Sequence, residues 1–148
     1  MRNKRVHRYW DEESAFIGGH LFSTAYWTVE VSFSQHTLGS FIIFSNRKCQ
    51  SLTDLKPSEI KDLPIAIKKI EKILKDNISF RPNWFNYLQL GNKIKHLHIH
   101  GIPRYQSKRV LLGKVWKDVD FRSPPVWSKK VCKQSLVKKI RDQILHCL

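Results

Sequence analysis

Residues 24–33 alternate in character. Trp27, Val29, Val31 and Phe33 fall on one side; Tyr26, Thr28, Glu30 and Ser32 fall on the other. A period of two in β-branched and aromatic residues predicts a half-buried strand. A turn follows at Gln35-His36-Thr37. Residues 38–44 are then apolar at both odd and even positions, which predicts a central strand paired antiparallel with the first. The pattern next changes period. Ile60, Leu63, Ile67, Ile70 and Leu74 recur at steps of three and four, one stripe of a helix. Pro57 suits the first helical position and Glu59 the positive end of the dipole. Lys56 offers no capping side chain. Pro64 removes one internal hydrogen bond and predicts a kink or a fresh start.

Residues 84–90 predict another strand, Gly91-Asn92 a tight turn, and residues 96–103 a strand that ends at Pro103. The two should form a hairpin, which brings Asn86 and Gln89 near the strand beginning at His96. Residues 106–131 are irregular, broken by Pro124-Pro125. Val137, Ile140, Ile144 and Leu148 then mark one face of a C-terminal helix. Residues 1–18 form a basic arm, with an acidic patch at Asp11-Glu12-Glu13. Residues 19–148 form a single domain, and no internal repeat interrupts it.

Composition adds two constraints. Lysine and arginine number 27 against 12 acids, a formal net charge of +15. That favours polyanionic partners such as nucleotides, nucleic acid through the basic surface, or anionic membrane surfaces. The lysines are spread along most of the chain, however, as on an ordinary solvated surface. No apolar run approaches the roughly 20 residues that span a bilayer, and the partner expectation is a nucleotide and no membrane. The basic N-terminus lacks the hydrophobic segment of a secretion signal. Cys49, Cys132 and Cys147 are odd in number and widely spaced, against a disulfide framework or structural zinc. A cytoplasmic setting is the expectation.

The chemistry concentrates in His96-Leu97-His98-Ile99-His100. In a strand, alternation puts the three histidines on one face and leaves Leu97 and Ile99 to anchor the other. Three readings fit these residues. The histidines could be satisfied by backbone carbonyls. They could bind a metal, although no further ligand sits nearby in sequence. They could attack phosphorus: neutral imidazole is available near pH 7 and can hold a phosphoryl or nucleotidyl group covalently.

Phe85-Asn86-Tyr87-Leu88-Gln89-Leu90-Gly91-Asn92 followed by His96-Leu97-His98-Ile99-His100-Gly101-Ile102-Pro103-Arg104-Tyr105 resembles the signature hairpin of the histidine triad (HIT) family. That motif is His-φ-His-φ-His-φ-φ, often followed by Pro-Arg. Residues 38–44 and 51–59 are similar to the family's strand and the start of its helix. Val110-Leu111-Leu112-Gly113 and Asp118-Val119-Asp120-Phe121 resemble a microbial branch that includes diadenosine polyphosphate hydrolases. The resemblance implies an α+β fold: a mostly antiparallel sheet of about five strands, one long helix and a C-terminal helix. It implies a homodimer.

It also implies that His98 is the nucleophile and that His96 and His100 support it and contact phosphate. Asn86, Gln89, Asn92, Arg104 and Ser40 become candidate nucleotide- or phosphate-binding residues. Ser40 stands where many relatives carry a fourth histidine. Ser32-Phe33-Ser34 stands where relatives often carry a ribose-gripping Asp or Asn. The implied function is a nucleotide hydrolase or nucleotidyl transferase. It would act at the α-phosphate of dinucleoside polyphosphates or nucleoside phosphoramidates. No cofactor is required, and a divalent metal would arrive with a polyphosphate substrate. A nucleotide- or RNA-binding module and a metal site on the three histidines are the alternatives.

Overall fold

A computed structural model describes residues 18–146. The basic arm lies outside these residues but for Gly18, and Leu148 lies outside them as well. The fold is α+β. Strands β1 (His20–Ser23), β2 (Trp27–Val31) and β3 (Phe41–Ser45) precede helix α1 (Pro57–Asp76). Strands β4 (Trp84–Leu88) and β5 (His98–Arg104), the hairpin β6 (Arg109–Leu111) and β7 (Lys114–Trp116), and helix α2 (Gln134–Leu145) follow. The main sheet has five strands in the order β1-β2-β3-β5-β4. Every pairing is antiparallel.

Beta3 sits centrally, as its two-sided apolar pattern predicts. Phe41 and Ile43 belong to the core under α1, while Ile42 and Phe44 face the opposite side of the sheet. Opposite Phe41 the chain needs a glycine. A Cβ on Gly101 would lie 2.1 Å from the Phe41 ring, so the strand carrying the histidines rests directly on that ring.

Three local expectations change. Beta4 ends at Leu88, and residues 89–97 form a long connection in place of a tight turn. His96 therefore precedes β5. Residues 106–131 include the β6–β7 hairpin, closed by Leu112 (φ 54°) and Gly113 (φ 70°). Two left-handed residues in succession suit a two-residue hairpin turn.

Helix α1 runs unbroken through Pro64. Its buried face is Asp62, Ala66, Ile70, Ile73 and Leu74, and Ile60 points to solvent. The physical reason lies in polar anchors near its N-terminus. Asp62 accepts hydrogen bonds from the Thr24 hydroxyl (2.6 Å) and Tyr26 N–H (2.8 Å). Glu59 accepts Lys56 N–H at 2.8 Å, one half of a capping box, and pairs with Arg47. These buried carboxylates orient the first turns, and the apolar stripe takes over from Ala66. In α2, Val137, Ile140 and Ile144 are buried on one face. Among the described residues no helix is long and apolar enough to cross a membrane.

Candidate active site

The face of the sheet turned away from α1 carries Phe44 and Ile42 on β3, with His98 and His100 directly opposite them on β5. Glu30 lies opposite Ile42 on β2. A cavity of about 580 Å³ opens here. His98 and His100 stand over a floor that includes Ile42 and Phe44. The 89–97 connection supplies one side through Asn92 and Lys93. A strap at residues 127–131 supplies another through Trp127 and Lys129.

Each imidazole has a distinct setting. His98 Nδ1 lies 2.7 Å from the His96 carbonyl. A carbonyl only accepts, so Nδ1 carries the proton and Nε2 carries the lone pair. His96 turns elsewhere: its Nε2–H donates to the Ser45 carbonyl at 2.7 Å, and it does not line the cavity. Its own carbonyl is what holds His98. His100 packs edge to face on His98 with ring centroids 4.8 Å apart.

Burial governs the protonation of all three. It pushes His96 and His98 below the ordinary imidazole value, against the carbonyl bonds that oppose it. His100 is pulled down to about 4, by burial first and then by His98 and His36. The cluster is therefore neutral at pH 7.

The structure separates the other predicted residues. Asn92 lines the histidine cavity. Gln89 does not, although it lies on the connection that does. Ser40 is buried and tied into the turn before β3. Its Oγ donates to the Thr37 carbonyl (2.8 Å) and accepts Thr37 N–H (3.1 Å).

Asn86 and Arg104 occupy the other end of the same sheet face, in a separate hollow with Trp84 and Phe121. Arg104 is expected to meet phosphate, yet it is 2% exposed and its donors are engaged. Its Nε and Nη2 grip Asp118 at 2.7 and 3.1 Å. Nη2 also reaches the Asp120 carbonyl and Nη1 the Asn86 Oδ1, each at 2.6 Å. This is a structural ion pair under the segment that follows β7.

Two residues of the cavity wall went unnoticed in the sequence. His36 stacks on Trp127 with centroids 3.9 Å apart, and His36 Nδ1 accepts Ser128 N–H at 2.9 Å. The partners lie 92 positions apart in the chain, so no local pattern joins them. The one available signal was that His36 sits in the turn leading to the strand beside β5. Among the described residues no three His, Cys, Asp or Glu side chains group as a metal-ligand set.

Residues 29–107, more than half of the chain, match the family model described as HIT domain. A curated relative, the asymmetrical bis(5'-nucleosyl)-tetraphosphatase of Schizosaccharomyces pombe, is 26% identical over 72 residues. That match covers 47% of this chain and only 40% of the relative's length. A histidine triad protein of Sinorhizobium meliloti superposes with a TM-score of 0.64 at 16% identity, covering 100% of this chain and 96% of its own. The diadenosine triphosphate hydrolase of Plasmodium falciparum, solved with cyclomarin A, gives 0.63 at 18% identity, covering 89% and 77%. At these identities the two structures speak for the fold.

Proposed function

The chain belongs to the HIT domain family, and from that premise we propose that it cleaves nucleotides at the α-phosphate through a nucleotidyl group carried on His98. The observation that carries this reading is the hydrogen bond from His98 Nδ1–H to the His96 carbonyl. It puts the proton on Nδ1 and the lone pair on Nε2 of a ring that lines the cavity, and it fixes the ring's orientation. As the Nε2–phosphorus bond forms, the ring gains positive charge, and the Nδ1–H···O=C bond strengthens. That bond thus stabilises the transition state more than the ground state.

In the first step His98 Nε2 attacks phosphorus and the bond to the leaving group breaks. The leaving group departs with the electron pair and takes up a proton from solvent. In the second step water attacks phosphorus and gives up a proton to solvent, the phosphorus–nitrogen bond breaks with its electron pair returning to Nε2, and a nucleoside monophosphate leaves. In this reading His100 and Asn92, which line the same cavity as His98, hold the phosphate oxygens. The neutral state of the cluster keeps the nucleophile available at pH 7.

Candidate substrates are dinucleoside polyphosphates and nucleoside phosphoramidates. No cofactor is needed, and a divalent ion enters with a polyphosphate chain. Transfer to an acceptor other than water follows the same first step. The test is incubation with diadenosine tetraphosphate and adenosine phosphoramidate, comparing wild type with His98→Ala. An inert wild type, or an equally active variant, overturns the reading.

A second reading, a nucleotide or RNA binder with little turnover, draws on Lys93 and Lys129 at the cavity wall. It predicts affinity that falls steeply with salt. A homodimer, expected from the family, is checked by sedimentation.

A further inference from the structure

Trp127 lies beyond the residues that match the family model, yet it helps to wall the histidine cavity. His36 stacks on one face of its indole, centroids 3.9 Å apart and planes 26° from parallel. His100 meets the same indole at 4.9 Å and 84°. His36 and His100 are themselves 6.5 Å apart. These three separations place His100 about a right angle away from the stacking direction. His100 therefore sits at the edge of the indole, away from its second face. No ring or cation covers that face among the described residues, and Trp127 stays 42% exposed.

The segment that carries the indole is held in place. Ser128 N–H is bonded to His36, and Cys132 N–H donates to the Phe33 carbonyl at 2.8 Å. Both ends of the strap are thus tied to the loop between β2 and β3. The surroundings suit a charged chain between two flat groups. Ile42 and Phe44 provide an apolar floor for one, and Lys93 and Lys129 line the same cavity. Neither lysine is in an ion pair with an acid among the described residues.

We propose that the second face of Trp127 is a stacking platform for a second nucleobase, so that the site selects dinucleoside polyphosphates over nucleotides whose leaving group carries no ring. This rests on the nucleotide reading given above. An aromatic platform tolerates any base, because every base has a π-face. Trp127 is in this sense a specificity residue and not part of the bond-breaking machinery.

The test uses binding, so that it does not depend on turnover. In the full-length His98→Ala protein, calorimetry compares diadenosine tetraphosphate with adenosine tetraphosphate, which lacks only the second nucleoside. Trp127→Ala should weaken binding of the first by about 10- to 100-fold and of the second by less than about 2-fold. Trp127→Phe should keep most of the difference, and Trp127→Leu, bulky but not flat, should lose it. Equal weakening of both ligands, no weakening of either, or no binding to the His98→Ala protein overturns the platform. A wild type that hydrolyses neither compound while the binding difference persists would remove the hydrolase reading and leave the platform standing.

Discussion

Strand β5 presents His98, His100, Ile102 and Arg104 to the same side of the sheet, yet its two ends do opposite things. At the histidine end the face is open as a cavity, and the titratable groups that β5 itself presents are neutral imidazoles packed against rings and carbonyls. At the Arg104 end the face is covered by the segment after β7. There a guanidinium and a carboxylate, each 3% exposed in the side chain, neutralise one another. Alternation supplied equivalent positions at both ends. What covers each end decides whether a polar side chain is available to a ligand or consumed by the fold. An unpaired charge cannot stay buried without large cost, so Arg104 needs its partners at hand. A neutral imidazole bears burial without a counter-charge and keeps its lone pair.

Four measurements test this contrast, from the largest effect to the smallest. His98→Ala should lower kcat by at least about 10³-fold while leaving thermal stability close to wild type. A variant that keeps its activity would place the chemistry elsewhere. Arg104→Ala should do the reverse. Leaving Asp118 buried without its cation should cost about 3–5 kcal/mol of stability in denaturant unfolding. The kcat of the protein that remains folded should hold within a few-fold, and a selective loss of kcat without loss of stability would return Arg104 to the active site.

Acid should destabilise the protein in two windows, one set by the histidine end of β5 and one by the Glu59–Arg47 pair at the start of α1. The folded-state values of His36, His96, His98 and His100 lie below the ordinary 6.5. The unfolded chain therefore takes up protons first, and stability is fully present above 6.5. It should fall as pH drops from 6.5 toward the value of about 4 held by His100. Glu59, held at about 2 chiefly by its bond to Arg47, adds a second loss below 4.5. Unfolding curves for His100→Asn should show a shallower slope in the upper window only. An unchanged slope there would contradict the buried neutral cluster. The smallest effect separates two amides. Asn92→Ala should lower kcat/KM by about 3- to 10-fold through loss of one hydrogen bond to phosphate. Asn86→Ala should leave kcat/KM near wild type and instead lower stability, since its carbonyl oxygen serves Arg104.

Much of this was legible in the chain. The alternation of Trp27, Val29 and Val31 and the two-sided apolar run around Phe41–Ser45 became neighbouring strands of the main sheet. The His98 and His100 positions share a face as the period of two requires. Less local features were not legible. The α1 stripe predicts burial of Ile60, but buried Glu59 and Asp62 turn those first residues toward Arg47 and Thr24. His96 belongs to the motif by spacing, yet its ring leaves the cavity for the Ser45 carbonyl because β5 begins two residues later. The strap that carries Trp127 has no periodicity at all.

The sequence by itself determined the secondary-structure periods and the strand face shared by His98 and His100, while the α+β class was implied by the resemblance of its hairpin to a known family. The periods and the shared face depend on neighbours a few residues apart, and backbone geometry relates such neighbours without help. Only the tertiary structure decided which polar groups are exposed to a ligand. It placed Trp127 and Ser128 against His36, and Asp118 against Arg104. Those pairings depend on which distant segment covers which end of the sheet, and a local pattern carries no information about its cover.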